Sequence, residues 1–546
     1  MDKELEALKE RNTWKVVPIG VARNKTILTG KWVFRVKTKA YGTIDKFKAR
    51  WVVRGFDQEH GRDFTETFAP VSRHTSLRIL FAIAAMKKRK LRQIDVANAF
   101  LYAPVDAKIF VELPHGSHGE PNQVRQLLKS LYGIKQAPRL WQQYLHARLT
   151  RIGFRQLPHD QGMYRLTKGD DYILLIVYVD DLLYIGSTDN VTTWFEGELQ
   201  KDLTLTVSST VTQYLGLNIQ EEENAIYLNA AKYADTIAKR FSLMPTTIST
   251  PYRYTAGNNK DGSAPLKSAD IRNYQRKLGC LLFAAVTCRP DLSYSASQLA
   301  TYLKRPEGEH MAELDCALHY LVSTPTVGLT YHKNGTTVPK LIDYVDADHA
   351  GDPNNRRSRT GYIYRLEPIG PISWQSSKQE LIALSSTEAE YIALCSATKE
   401  GLYLRELLEE AKLAQLPSFS LFCDNQSAIR IANKNGFANR TALRYFFVKD
   451  EIKKGGLELF YCPTSEMTAD YLTKLGKSKF EYCMLLTGQS HVISSDTPEA
   501  KGSVGNKRFI APLSYRSCDN KTELTTVKKH ASQLSEVTRR SKVPDL

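Results

Sequence analysis

Residues 173–187 read ILLIVYVDDLLYIGS, two short apolar runs with Asp180 and Asp181 between them. Runs of this length, rich in Ile, Leu and Val, are strand signals, and two of them about a short polar break form a β-hairpin. Adjacent carboxylates in so apolar a hairpin are costly unless they sit at its exposed turn or bind cations. Asp is also a common turn residue, so this segment alone leaves a plain turn and a cation site evenly matched.

A second carboxylate stands upstream, in residues 91–105, LRQIDVANAFLYAPV. Ile94 and Val96 point one way from a strand and Asp95 points the other. The plain alternative makes Asp95 the N-cap of a short helix beginning at Val96. Phosphoryl transfer by two metal ions needs carboxylates from separate strands at one point, holding cations about 3.5–4 Å apart. Asp95 and the Asp180/Asp181 pair meet that requirement if the strands are neighbours.

Composition supports a large, basic, globular chain. With 546 residues and domains of ~100–200 residues each, three or four units are expected. Hydrophobic residues at 42% and charged residues at 24% exclude global disorder. Lys and Arg number 75 against 58 acidic residues, a net charge of +17 and a pI near 9.3. Such an excess favours a polyanionic partner, because each neutralised phosphate releases condensed counterions; a basic solvated surface is the alternative. The eight cysteines include no CxxC pair, so neither a zinc site nor a disulfide framework is expected. The start, MDKELEALKERNTW, is charged from its second residue, and the strongest apolar run, 172–179, ends at two aspartates. No signal peptide, membrane span or secretion is expected.

Along the chain, residues 31–55 read as two strands about a turn at Tyr41, Gly42 and Thr43. Trp32, Phe34 and Val36 alternate on one strand and Phe47, Ala49, Trp51 and Val53 on the other. Lys46, Lys48, Arg50 and Arg54 share the opposite face. A helix is expected over 76–88, a loop or linker over 245–268, and mainly helix over 274–322. From Leu341 the order strand, strand, strand, long helix, strand, helix, strand, helix argues for helices packed on a central sheet. The polar, basic segment past Lys479 has no periodicity and is expected to be disordered.

Four segments carry a family resemblance: KARWVVRGFDQEHGRDFTETFAPVSRHTSLR (48–78), QIDVANAFLYAPV (93–105), LKSLYGIKQAPRLW (128–141) and YVDDLLYIG (178–186). In this order they resemble the reverse transcriptase of copia-type LTR retrotransposon Pol polyproteins, with likeness running to about Lys474. The resemblance implies Asp95, Asp180 and Asp181 as catalytic metal ligands, the latter two in the YxDD box of the palm. It implies Phe100 as the residue under the sugar that rejects a 2′-hydroxyl, with an ordinary core aromatic as the alternative. Lys48 and Arg50 match fingers residues that grip the triphosphate, and a row of cations on one strand face is a clamp that phosphoryl transfer uses. Tyr132 and Gly133 open the GIKQAP turn, which resembles the loop placing the nascent base pair.

Downstream, Asp346 in LIDYVDADHAG (341–351), Glu390 in STEAEYIAL (386–394), Asp424 in LFCDNQSAI (421–429) and Asp470 in TSEMTADYLTK (464–474) resemble the carboxylates of the family's ribonuclease H domain. Four carboxylates binding two cations would activate water against an RNA phosphate. Ser385 and Glu388 fit a capping box, which leaves Glu390 as the ligand. Asp424 could instead be an N-cap, Asp470 a solvated helix residue, and Asp348 rivals Asp346. Two departures bear on the ribonuclease half. NRTALRYFFVKDEI (439–452) is shortened and has Phe446 where the family has His, and DADHAG carries His349 where Trp is usual.

The implied fold class is α/β and α+β, multidomain: a right-hand polymerase of palm and fingers, a helical connection and a ribonuclease H-like α/β domain. Expected bounds are 1–244 for fingers and palm, 245–273 for a linker, 274–335 for the connection, 336–479 for the ribonuclease H-like domain and 480–546 for a disordered basic tail. The implied function is RNA-directed DNA synthesis with hydrolysis of RNA in RNA:DNA hybrids. The cofactor is Mg²⁺, with Mn²⁺ an alternative. RNA template, DNA primer strand, RNA:DNA hybrid, deoxynucleoside triphosphates and other retrotransposon proteins are the implied partners, in the cytoplasm, in a virus-like particle, or in the nucleus. Protease and integrase motifs are missing, so a fragment or truncated reading frame is expected. The altered stretch at Phe446 keeps open a second reading, a copy that binds nucleic acid without catalysis.

Overall fold

The computed structural model describes residues 1–23, 25–38, 44–116, 122–252, 264–333, 339–412, 416–433, 442–474 and 477–491. The turn at 41–43, most of the expected linker and the segment beyond 491 lie outside these. The chain divides into two compact units, Met1–Leu80 with Arg89–Val211, and Phe81–Lys88 with Thr212–Leu546. Both are mixed α/β, as the sequence implied. Among the described residues no helix is long and apolar enough to cross a membrane.

The first unit is organised by a six-stranded sheet in the order Leu205–Ser208, Arg92–Val96, Asp181–Gly186, Asp171–Tyr178, Met163–Lys168, Arg155–Gln156. Its centre is the expected hairpin: Ile173 to Ile176 and Leu182 to Ile185 are fully buried, which is why both runs are apolar on both faces. On one face Ile173, Leu175, Leu182 and Tyr184 join Trp141, Leu145 and Phe195 in a single core. Those last three come from the helices Ala137–Ile152 and Asp189–Gln200. Each fully buried side chain of this kind contributes about 1.5–3 kcal/mol. Arg92 joins Glu196 in an ion pair of 2.6 Å, and the Tyr184 hydroxyl donates to the same carboxylate, tying the strand that carries Asp95 to the second helix.

Strands Gly30–Thr38 and Ile44–Val53 pair as expected, with Trp32 opposite Trp51 and Phe34 opposite Ala49. The alternation does not mark a buried face along its whole length. Trp51 and Val53 are buried, but Phe34 and Phe47 are 66% and 76% exposed. Among the described residues nothing covers the outer half of that face. The helix expected over 76–88 spans His74–Met86.

In the second unit, the helices Ser268–Thr287, Ser293–Ala300 and Gly308–Ser323 pack into one core, as the apolar pattern of 274–322 implied. A five-stranded sheet accompanies them, ordered Gln213–Tyr214, Leu217–Glu221, Ala225–Asn229, Val327–His332, Gln489–His491. Order therefore continues past 480, where a disordered tail was expected to begin. Lys477–Leu486 is a helix whose Phe480 is buried, and Gln489–His491 pairs with Val327–His332.

The other sheet runs Gly370–Lys378, Arg359–Glu367, Lys340–Ala347, Phe419–Cys423, Leu457–Tyr461. The first three strands are antiparallel and the last two run parallel to the central one. The helix Ser386–Glu410 packs on it, with Ala389, Ala393 and Ala397 fully buried against the strands. Helices packed on a central sheet are what the order read from the sequence argued for, with two helices rather than one before the last strand.

Candidate active sites

In the first unit the ladder sets Asp95 directly opposite Asp181, with Asp181 in turn pairing Tyr178 across the hairpin. Val179 and Asp180 form the turn. Val179 has a φ of +57°, a left-handed position that a β-branched side chain rarely takes, and its carbonyl accepts from Trp141 Nε1 at 2.7 Å. The Val96 amide donates to the Asp180 carbonyl at 3.0 Å, joining the strand of Asp95 to the turn. The N-cap alternative for Asp95 does not apply. Asp95 lies within a strand, and the next helical turn, Ala99–Tyr102, starts after Asn98.

Beside these carboxylates runs a short stack. The Arg50 guanidinium lies 4.4 Å above the Tyr132 ring, and Tyr132 meets Phe100 edge-on at 5.1 Å between centroids. Burial pushes the Tyr132 hydroxyl up to about 12, Arg50 opposing and the charges of Asp180 and Asp95 adding. Gly133 has a φ of +98°, and a Cβ there would lie 2.0 Å from the Val53 carbonyl oxygen. Only glycine lets the turn close on the strand that carries Lys48 and Arg50. Sequence reasoning missed Glu4: burial raises its carboxyl, and Arg50 and Lys48 pull it back, so the N-terminal helix Asp2–Glu10 brings an acid beside these two cations.

In the second unit Asp346 is the penultimate residue of the central strand. The parallel register pairs Val345 with Cys423, so Asp346 and Asp424 follow at neighbouring strand ends. Glu390 lies in the second turn of the helix Ser386–Glu410. Glu390, Cys423 and Asp424 bring potential ligand atoms within 4.8 Å of one another. Asp346 is joined instead to Asp470 through Lys474, whose Nζ lies 3.0 Å from Asp346 Oδ1 and 3.1 Å from Asp470 Oδ1. Thr473 donates a hydroxyl bond to the other Asp346 oxygen. Burial pushes Asp346 up to about 7, Lys474 opposing and Asp470 adding. Burial raises Glu390 well above the carboxylate range too, with the charges of Asp346 and Asp424 adding to the effect.

The open alternatives separate by hydrogen bonding. Asn425, not Asp424, caps the helix Gln426–Asn433, its Oδ1 accepting from the Ala428 amide at 2.9 Å. Asp424 accepts from the Thr464 hydroxyl at 2.7 Å. Asp348 lies just past the end of the central strand and accepts from the Arg359 amide. Ser385 accepts from the Glu388 amide, and the Glu388 carboxylate reaches back to the Leu384 amide at 2.8 Å, one residue beyond the cap itself. Asp470 is buried rather than solvated. His349 and Phe446 are exposed.

The donor sets fit hard divalent cations: every candidate ligand in both units is a carboxylate apart from the Cys423 thiol, which burial keeps protonated. Asp95, Asp180 and Asp181 are gathered on one edge, but their oxygens are not within 4.8 Å as a trio. The other such group among the described residues, Glu307, Glu309 and His310, is a helix cap, His310 Nδ1 accepting from the Glu307 amide at 3.0 Å.

Residues 11–253 match the family model described as reverse transcriptase (RNA-dependent DNA polymerase). The chain is 33% identical over 312 residues to the putative transposon Ty5-1 protein YCL074W of Saccharomyces cerevisiae, covering 100% of that protein and 56% of this chain. The chain belongs to the reverse transcriptase family of retrotransposon Pol polyproteins. It is 34% identical to the retrovirus-related Pol polyprotein from transposon TNT 1-94 of Nicotiana tabacum, over 89% of this chain and 37% of that one. This reverse transcriptase family member thus spans little more than a third of that relative's length. A solved foamy viral protease-reverse transcriptase in complex with RNA/DNA hybrid is 14% identical, with a TM-score of 0.46, over 84% of this chain and 52% of that one.

Proposed function

We propose that the chain performs RNA-directed DNA synthesis at Asp95, Asp180 and Asp181 and cleaves the RNA of RNA:DNA hybrids at Asp346, Glu390, Asp424 and Asp470. The observation that carries the first half is the register of Asp95 against Asp181, beside the Arg50, Tyr132 and Phe100 stack. Asp95, Asp180 and Asp181 would hold Mg²⁺, or Mn²⁺. Bound there, the cations neutralise charge developing on the triphosphate and lower the cost of ionising the primer 3′-hydroxyl. Arg50 and Lys48 would pair the phosphates, and Tyr132 holds Arg50 in place for that contact. Phe100 would lie under the sugar, where a flat apolar surface leaves a 2′-hydroxyl no partner.

In the second unit the buried carboxylates would hold Mg²⁺ and orient water at an RNA phosphate. RNA template, DNA primer and deoxynucleoside triphosphates are the substrates, and the +17 charge suits them. Other retrotransposon proteins would be partners, with the polymerase in the fingers and palm of 1–244 and the ribonuclease in 336–479. Primer extension on an RNA template with and without Mg²⁺ tests the reading, and binding with no extension in any condition would replace it with a non-catalytic binder.

A further inference from the structure

We infer that Lys474 is a resident cation of the second unit's acidic cluster, holding Asp346 and Asp470 together until divalent cations claim their oxygens. The inference rests on the ribonuclease reading of that cluster and deepens it.

The turn that carries Asp470 also delivers the lysine. The amides of Thr473 and Lys474 donate to the Asp470 carbonyl at 3.1 and 2.9 Å, which folds both side chains onto Asp346. Asp346 has no exposed side-chain surface, and its two oxygens are taken by the Thr473 hydroxyl and the Lys474 ammonium. The same ammonium reaches Asp470. Without it, buried Asp346, Asp470 and Glu390 would face one another as uncompensated charges, a costly arrangement.

One ammonium does not serve all four acids. Among the described residues no Lys or Arg forms an ion pair with Glu390 or Asp424, and Asp424's hydrogen bond comes from the neutral Thr464. Lys474 is thus bonded to Asp346 and Asp470 and reaches Glu390 only through its charge, while Glu390 accepts a backbone hydrogen bond from Ala347. An ammonium on a flexible four-carbon stem is a point charge that can swing away, whereas a hard divalent cation needs the same carboxylate oxygens. Lys474 and the second cation therefore compete for Asp346. Lys474 keeps the empty site assembled and lowers its affinity for divalent metal.

The test uses the full chain with Asp95→Asn and Asp181→Asn, so that Mg²⁺ titration by calorimetry reports the second unit. Lys474→Gln should melt at a lower temperature without Mg²⁺, bind Mg²⁺ about three- to tenfold more tightly, and gain a larger rise in Tm from it. Lys474→Arg, which keeps the charge, should stay near the parent. Unchanged or weaker Mg²⁺ binding in Lys474→Gln would overturn the inference, as would binding that Glu390→Gln leaves intact. Cleavage of a labelled RNA:DNA hybrid is measured in parallel in the parent. Tighter Mg²⁺ binding without cleavage keeps the resident cation and removes the ribonuclease reading.

Discussion

Asp95 and Asp181 stand directly opposite each other across an antiparallel ladder. Like charges in that relation repel, and the sheet keeps them there although Gln93, on the same strand as Asp95, gives Asp181 a hydrogen bond of only 3.3 Å. A site that sets two acids face to face at a strand end is destabilised when empty and stabilised by a cation between them.

Two opposite effects should follow from Asp181→Asn. Relieving the repulsion should stabilise the protein by about 0.2–1 kcal/mol. Extension on an RNA template should fall about 10²–10³-fold. Asp180→Asn should also stop synthesis while nucleic-acid binding persists. Melting curves and primer extension on the same preparations check both signs, and wild-type extension by either variant sinks the metal assignment.

Phe100 touches Tyr132, and Tyr132 touches Arg50, so its removal reaches two proposed contacts. Phe100→Ala should raise ribonucleotide use relative to deoxynucleotide use. The measurement is the ratio of kcat/KM for the two sugars. An unchanged ratio, with only a lower Tm, would make Phe100 an ordinary packing residue.

The two glutamates near the start of the helix Ser386–Glu410 should separate cleanly. Glu390→Gln should stop hybrid cleavage and leave extension intact. Glu388→Gln should do much less, because its amide oxygen can still accept from the Leu384 amide. A dead Glu388→Gln beside an active Glu390→Gln would reverse the choice of ligand.

His74 gives a pH signature. Burial, with the Arg78 charge adding to it, lowers His74 from 6.5 to about 4. The unfolded chain takes up a proton near 6.5 while the folded chain resists until about 4. Stability is therefore fully present above that window and falls as pH drops through it. His74→Gln should flatten the dependence of Tm on pH between those limits, and an undiminished slope would assign the acid sensitivity elsewhere.

What the sequence made legible was local. The hairpin around Asp180, the strand of Asp95 and the helix of Glu390 each declare themselves within a dozen residues, because apolar period and charge placement are short-range signals. The strands of 31–55 were legible as strands, but alternation does not say what lies against a face, and Phe34 and Phe47 are exposed. The division of labour between Asp424 and Asn425 turned on which side chain met the Ala428 amide, a choice that spacing leaves open. Lys474 reads as one more basic residue four positions after Asp470. Its meaning lies in Asp346, 128 residues away in sequence. The expected start of the tail at 480 is overturned for the same reason: nothing near 489 announces a strand whose partner is at 327.

That late strand does more than extend a sheet. Gln489 Nε2 donates to Asp291 Oδ1 at 2.7 Å, and Asp291 is the fully buried partner of Arg289. A glutamine near the end of the described chain thus closes an internal charge pair formed 198 positions earlier. Cutting the chain between Lys474 and Gln489 would leave that carboxylate one donor short in a dry interior, a loss of about 1–3 kcal/mol before any lost strand pairing. Residues 477–491 thus act as a clasp: the core around Asp291 and the sheet ending in Val327–His332 are completed only once they have been made.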